Sequence, residues 1–154
     1  MQSLHTEIII EAPPERIWAV LSDFESYPEW NPTIRSIEGV LSEGERLIVV
    51  IKQPGRKPMT FRPLVLDAVP GFLFRWRGRL FIPWLFDGEH EFRLEILDDE
   101  RTRFIHREKF TGILVPFMRR MIENDTREGF EKMNHALKER CERNIPASPT
   151  PDPA

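Results

Sequence analysis

An alternation of apolar and polar residues with a period of two runs through most of the chain between residues 34 and 111. Side chains of a β-strand point to opposite faces in turn, so this period indicates strands with one buried face. Turn-forming pairs interrupt it at Glu43-Gly44, Pro54-Gly55 and Pro70-Gly71. Short turns favour antiparallel neighbours over crossover connections. We therefore predict six consecutive antiparallel strands over residues 34–41, 46–52, 59–68, 72–79, 86–97 and 102–111.

The chain before these strands is predicted to form one more strand and two short helices. Residues 4–11 contain Ile8-Ile9-Ile10 and end at prolines that cannot continue a ladder. Pro14 suits the first turn of a helix. The apolar residues that follow it at helical spacing are Ile17, Val20, Leu21 and Phe24. A second short helix is predicted within residues 24–32.

A long last helix is predicted over residues 115–143, beginning near Pro116. Steps of about 100° per residue place one set of side chains on its inner face. That set contains Met118, Met121, Ile122, Asp125, Thr126, Gly129, Met133, Ala136 and Leu137. Together the elements predict an α+β fold in which a curved antiparallel sheet of about seven strands wraps the last helix. Residues 144–154 contain four prolines and are predicted to be a disordered tail.

Three ionisable side chains share the parity of the buried face on the last two strands. His90 alternates with outward charges, and His106 and Glu108 fall on the same parity as Phe104 and Phe110. Inward ionisable groups are expensive unless they are paired or hydrated. A turn centred on Asp99 would place His90 opposite Glu108, which gives the buried carboxylate a partner. We therefore predict this register and a cavity rather than a dry interior.

The outward residues of three consecutive strands alternate in charge from one strand to the next. Arginines at 75, 77 and 79 are followed by glutamates at 89, 91 and 95, and then by basic residues at 103, 107 and 109. Opposite charges on neighbouring strands stabilise a sheet. We interpret this pattern as a structural ladder rather than a nucleic-acid surface, in agreement with a net charge of −3.

Composition limits the class of protein. A length of 154 residues with 40% hydrophobic and 31% charged residues is typical of one soluble globular domain. Cys141 is the only cysteine, which excludes an intramolecular disulfide. No signal peptide or membrane-spanning run is visible, so a cytoplasmic location is expected.

Two stretches near the start resemble the START-like superfamily, also labelled SRPBCC or polyketide cyclase/dehydrase-like. They are Glu11-Ala12-Pro13-Pro14-Glu15-Arg16-Ile17-Trp18 and Tyr27-Pro28-Glu29-Trp30-Asn31-Pro32. Residues 86–92 and 102–108 are similar to uncharacterised bacterial members, and the resemblance covers residues 2–143. It implies a helix-grip fold with an apolar cavity between the sheet and the last helix. It leaves the activity open, because the superfamily includes carriers, receptors and enzymes.

The resemblance and the inward parities together define a set of candidate ligand-binding residues. They are Phe72, Phe74, Trp76, His90, Phe92, Phe104, His106, Glu108, Phe110, Met118, Met121, Ile122, Asp125, Gly129 and Met133. The first hypothesis is a protein that binds a small hydrophobic or amphipathic molecule, such as a lipid, a polyketide or an isoprenoid-like compound, without a cofactor. The alternative is that these side chains only pack against each other.

Two further hypotheses use the same cavity. A cyclase, dehydratase or hydrolase could use His90 or His106 for acid/base catalysis. The protein could instead be a protein-interaction module with a vestigial pocket. A metal site at His90, His106 and Glu108 has little support, because these residues lie on two strands rather than in a compact motif.

Seven apolar residues in a row, 80–86, connect two predicted strands. The run from Leu80 to Phe86 is too short to span a bilayer, and Pro83 prevents a continuous strand. It is predicted to lie near the cavity mouth as a lid, a membrane or protein contact, or a buried loop. The oligomeric state, monomer or dimer, is left open.

Overall fold

The computed structural model describes residues 1–80 and 82–143, so the predicted tail at 144–154 lies outside the described residues. Eight strands are present: β1 (Gln2–Ile10), β2 (Ile34–Glu38), β3 (Ile48–Ile51), β4 (Met59–Phe61), β5 (Leu64–Val69), β6 (Leu73–Arg79), β7 (Asp87–Ile96) and β8 (Thr102–Thr111). The α-helices are α1 (Pro14–Ser22), α2 (Tyr27–Trp30), α3 (Arg119–Met121) and α4 (Arg127–Arg143). The two short helices after β1 are confirmed.

The strands form two antiparallel sheets. The larger has the order β1-β8-β7-β6-β5, and the smaller has the order β2-β3-β4. The segment between β2 and β3 is connected to the larger sheet by a bridge between Arg46 and Leu64 of β5. The prediction of one strand over residues 59–68 is wrong. The chain leaves β4 at Phe61 and enters the other sheet at Leu64; Pro63 lies between them and has no N–H to donate to a ladder.

The predicted single helix over residues 115–143 is also wrong in its first half. The chain forms a 3-10 turn (Val115–Phe117), then α3, a π-helical segment (Ile122–Thr126) and finally α4. A π segment carries an extra residue per turn, which rotates the side chains before it relative to those after it. The prediction of the inner face is therefore right for α4 but not for Asp125, which lies in the π-helical segment.

The pairing of β7 with β8 has the predicted register. His90 lies opposite Glu108, and Phe92 lies opposite His106. The outer charge ladder is confirmed as well, because β6, β7 and β8 are adjacent in that order. Arg75 contacts Glu89 at 3.6 Å.

Two apolar clusters hold the elements together. The larger joins α1 and α4 to the sheet through buried residues that include Ile17, Leu21, Phe74, Phe92, Phe104, Met133 and Leu137. The smaller contains Leu4, Phe110, Val115, Ile122 and Phe130. Within the described residues, no helix is long and apolar enough to cross a membrane.

Candidate functional site

A cavity of about 250 Å³ lies between the two sheets and the C-terminal helical segments. The smaller sheet and its loops supply Thr33, Ile34, Val49, Ile51, Gln53, Arg56, Lys57, Met59, Phe61 and Pro63. The larger sheet supplies Trp76, Gly78, Arg79, Leu80, Phe86, Gly88, His90, His106, Glu108 and Phe110. The helical segments supply Met118, Met121, Thr126, Phe130 and Met133. The wall is therefore mainly apolar, with polar groups confined to a few places.

The structure brings eight of the predicted site residues to this cavity: Trp76, His90, His106, Glu108, Phe110, Met118, Met121 and Met133. Four others, Phe74, Phe92, Phe104 and Ile122, are fully buried in the apolar clusters instead. The inward parity of the three phenylalanines is right, but aromatic neighbours pack over them. The ring centroids of Phe92 and Phe104, for example, are 5.8 Å apart in a stacked arrangement.

Three predicted residues lie elsewhere for specific reasons. Phe72 precedes β6, so strand parity does not apply to it, and it is 45% exposed beneath the guanidinium of Arg93. Asp125 forms an ion pair with Arg56 at 2.9 Å. Gly129 packs against the chain before β2, where its carbonyl accepts a hydrogen bond of 2.8 Å from the Thr33 hydroxyl.

Sequence reasoning missed two opposed glycines that create much of the free space. Gly78 lies directly opposite Gly88 on the inner face of β6 and β7. A Cβ at Gly78 would meet nothing within 4 Å, whereas a Cβ at Gly88 would lie 2.3 Å from Glu108 Oε1. Gly88 therefore makes room for the carboxylate, and Gly78 leaves room for a ligand. Glycines on the inward parity of adjacent strands were the available signal.

The smaller sheet was also missed as a cavity wall. Its inward residues Val49 and Ile34 are buried, and Met59 and Phe61 complete that side. The alternating pattern of these strands was visible, but it could not indicate that β4 and β5 belong to different sheets. The cavity depends on that division.

A chain of polar contacts runs from the cavity into the molecule. His90 Nδ1 lies 3.4 Å from Glu108 Oε2, and the Nε2 atoms of His90 and His106 are 2.7 Å apart. His106 Nδ1 lies 2.8 Å from Asn134 Oδ1. The Asn134 amide donates to the Thr6 hydroxyl at 2.9 Å, and Thr6 donates to the His106 carbonyl at 2.9 Å. The predicted pairing of His90 with Glu108 is confirmed.

The far end of this chain fixes the direction of its hydrogen bonds. A carbonyl only accepts, so the Thr6 proton points at His106 O and the Thr6 oxygen must accept from Asn134. The Asn134 oxygen then faces His106, which must carry its proton on Nδ1. In neutral His106 the Nε2 atom is consequently an acceptor, and it receives the Nε2–H of His90.

The environment of His106 keeps it neutral. Its ring is fully buried and stacks on Phe130 with centroids 3.8 Å apart. Burial, together with the neighbouring His90, lowers the pKa of His106 well below 6.5, although the hydrogen bond with Asn134 opposes the shift. His106 is therefore held in place as a neutral hydrogen-bond partner of His90.

Cys141 is not among the residues that line this cavity. Burial raises the pKa of the Cys141 thiol to about 12, so the thiol stays protonated. Within residues 1–80 and 82–143, no group of three or more His, Cys, Asp or Glu side chains is arranged to hold a metal ion. The polar part of the cavity thus consists of the Glu108–His90 pair, with Gln53, Thr126 and the cations Arg56, Lys57 and Arg79 among the other lining residues.

The two sheets and the C-terminal helix, with the cavity between them, form a helix-grip fold like that of a START superfamily protein of known structure. The chain belongs to the family described as polyketide cyclase / dehydrase and lipid transport, whose model matches residues 1–142. No curated protein matches the chain.

Solved structures are similar in fold at low sequence identity. The Zhui aromatase/cyclase from Streptomyces sp. R1128 has 21% identity and a TM-score of 0.76, over 95% of this chain and 96% of that one. A START superfamily protein from Mycobacterium smegmatis has 20% identity and a TM-score of 0.70, over 92% and 97%. Norcoclaurine synthase from Thalictrum flavum has 15% identity and a TM-score of 0.69, over 91% and 93%.

Proposed function

We propose that residues 1–143 form a domain that binds one small hydrophobic or amphipathic molecule in the cavity. The supporting observation is the cavity itself, whose apolar wall surrounds a single carboxylate–histidine pair. Methionine and aromatic side chains adapt to apolar shapes, and the Glu108–His90 pair would bind a polar end of the ligand.

The size of the cavity narrows the class of ligand. Its volume of about 250 Å³ lies just below the usual range of roughly 300–1,000 Å³ for small-molecule pockets. A compact ring system or a single isoprenoid or acyl chain suits this volume better than a lipid with two long chains. We place the polar group of the ligand at Glu108 Oε1, which lies over Gly88.

Native mass spectrometry of protein purified without detergent tests this proposal. We expect an adduct of one small molecule per chain that disappears from the denaturing spectrum of the same sample. Protein purified from several expression hosts that never carries such a mass, and that takes up no added apolar compound, would contradict the proposal.

A second candidate function is acid/base catalysis on the bound molecule. It is favoured by the fixed direction of the polar chain, which leaves the Nδ1 atom of His90 facing Glu108. A hydrogen bond between these two atoms requires one proton shared by the pair. Glu108 would exchange that proton with the ligand, His90 would hold the carboxyl group, and His106 would act only as a positioning residue.

An exposed apolar surface beside the cavity supports contact with a membrane. We call it the apolar rim: Ile82, Trp84, Ile113 and Phe117, which are 49%, 63%, 59% and 85% exposed. Its two loops are joined by a hydrogen bond of 3.2 Å from Ile113 N to Trp84 O. Exposed Arg119 and Arg120 follow directly. Aromatic residues beside arginines suit an anionic bilayer surface, from which an apolar ligand could enter.

A further inference from the structure

The outer face of the larger sheet pairs most of its arginines with carboxylates. Arg75 contacts Asp67 at 2.7 Å, and Arg103 contacts Glu95 at 2.8 Å. At one corner this pattern stops. Arg77 lies opposite Glu89 in the register, but Glu89 contacts Arg75 instead, at 3.6 Å. Among the described residues, no carboxylate lies within 4.0 Å of the Arg77 guanidinium.

The strand register collects three more arginines around Arg77. Leu64 pairs with Arg77 on one side and bridges to Arg46 on the other. Arg62 precedes Leu64 by two residues, and Arg79 follows Arg77 by two. Because β5 and β6 are antiparallel, both positions lie on the same side of the Leu64–Arg77 pair. A hollow of about 150 Å³ lies among these side chains. Its lining consists of Arg46, Arg62, Leu64, Arg77 and Arg79.

Part of the cluster is held in place. Arg46 Nη1 donates to the carbonyl of Arg62 at 3.0 Å, which holds the Arg46 side chain toward the position of Arg62. Arg79 has one carboxylate partner, Asp87, at 3.8 Å. Among the described residues, Arg46 and Arg62, like Arg77, have no carboxylate within 4.0 Å. Like charges at neighbouring strand positions destabilise a sheet, so a bound anion would relieve an uncompensated repulsion.

We propose that this hollow binds the phosphate group of a phosphorylated small molecule or lipid. Guanidinium groups present planar pairs of N–H donors that match phosphate oxygens, and several arginines converge here around a space large enough for that group. Arg79 also lines the apolar cavity, so the two sites adjoin. The phosphate site does not depend on the cavity being occupied, because Arg46, Arg62 and Arg77 line the hollow and are not among the residues that line the cavity.

The test is a titration of the full chain with phenyl phosphate, followed by NMR of the arginine side-chain Nε–H groups at physiological salt. We expect saturable shifts at Arg62 and Arg77. The double variant Arg62→Gln/Arg77→Gln should bind about tenfold more weakly or worse. Its melting temperature should be unchanged or higher, because the variant removes like charges and breaks no ion pair.

The matched control is Arg35→Gln/Arg143→Gln, which removes the same charge at two exposed positions that do not line the hollow. Equal weakening in this control would show a non-specific charge effect and overturn the proposal. A parallel measurement with vesicles containing phosphatidic acid identifies the source of the phosphate. Binding to vesicles alone, lost in the Arg62/Arg77 variant, assigns a lipid headgroup; absence of binding to both probes would overturn the proposal.

Discussion

Asn134 is the residue whose amide sets the direction of the hydrogen bonds between Thr6 and His90. Replacing it with leucine would leave the His106 Nδ1–H and the Thr6 hydroxyl without their buried partner. An unsatisfied buried donor costs about 1–3 kcal/mol. The same change would free the His106 ring to present either nitrogen to His90. The geometry of the cavity-facing pair thus depends on a side chain that does not line the cavity.

We predict that His106 is neutral, with its proton on Nδ1, at the pH of about 6.5 where an ordinary histidine is half protonated. The unfolded chain takes up a proton near pH 6.5, while the folded chain resists it because the pKa of His106 is lowered by burial. The contribution of His106 to the free energy of unfolding is therefore fully present above about pH 6.5. It decreases below that pH, by up to about 1.4 kcal/mol per pH unit. Nitrogen NMR shifts of the imidazole and melting temperatures above and below that pH measure both effects.

His106→Gln should flatten this pH dependence, whereas the control His135→Gln, at an exposed position, should leave it unchanged. Asn134→Asp should raise the pKa of His106, because a carboxylate facing Nδ1–H favours the charged ring. A His106 ring that titrates near its ordinary pKa in the unmodified protein would contradict the proposed chain.

Strand parity was sufficient to place His90, His106 and Glu108 inside the sheet, because a period of two leaves only two faces. The turn position then determined which of them are opposite each other. Asn134 could not be found this way. It lies beside Met133 on a helix, where an isolated amide in a charged sequence is indistinguishable from a surface residue.

At the scale of elements, the boundaries that sequence patterns missed are those decided by tertiary contacts. The alternation continues across Pro63 although the chain changes sheets there, so parity alone could not divide β4 from β5. The helical period likewise continues through the π segment before α4. There Thr126 accepts a hydrogen bond of 3.1 Å from Gln53, a residue 73 positions earlier. Such partners cannot be read from local spacing.

The loops of the apolar rim give an element-scale prediction. Trp84→Asn should reduce co-sedimentation with vesicles that contain anionic lipid by about tenfold, since it removes the largest exposed apolar side chain of the rim. Asparagine is chosen because Trp84 has a φ of 61°, a conformation that asparagine tolerates. Melting temperatures of both proteins would verify that the fold is retained.

The control is Val40→Asn, which removes an apolar side chain that is 65% exposed outside the rim. Equal losses in the two variants, or the absence of vesicle binding by the unmodified protein, would contradict the membrane contact. The length of residues 80–86 and Pro83 predicted a lid, a membrane or protein contact, or a buried loop near the cavity mouth, and left the choice open. The partners of this segment, Ile113 and Phe117, follow a different strand and were not foreseen.

At the scale of the whole molecule, two sheets and a helix enclose a space that neither sheet would form alone. The resemblance of the sequence to START-like proteins predicted a curved antiparallel sheet around the last helix, and membership of the polyketide cyclase / dehydrase and lipid transport family agrees with that fold. The division of the strands between two sheets was not predicted. The chemistry of the ligand could not be predicted in the same way. It depends on which aromatic residues pack together and which glycines leave space, and both are set by distant parts of the chain.

The measurement that tests this account most directly is the binding of the neutral fluorescent probe 1-aminoanthracene to a variant with a filled cavity. Gly78→Leu adds a side chain where a Cβ meets nothing within 4 Å, so the variant should fold normally. We expect it to bind the probe at least about tenfold more weakly than the unmodified protein, with Gly78→Ala between them. Lys109→Leu, with its added leucine on the outer face of β8, should bind normally. Unchanged binding in a folded Gly78→Leu variant would contradict a ligand site in this cavity.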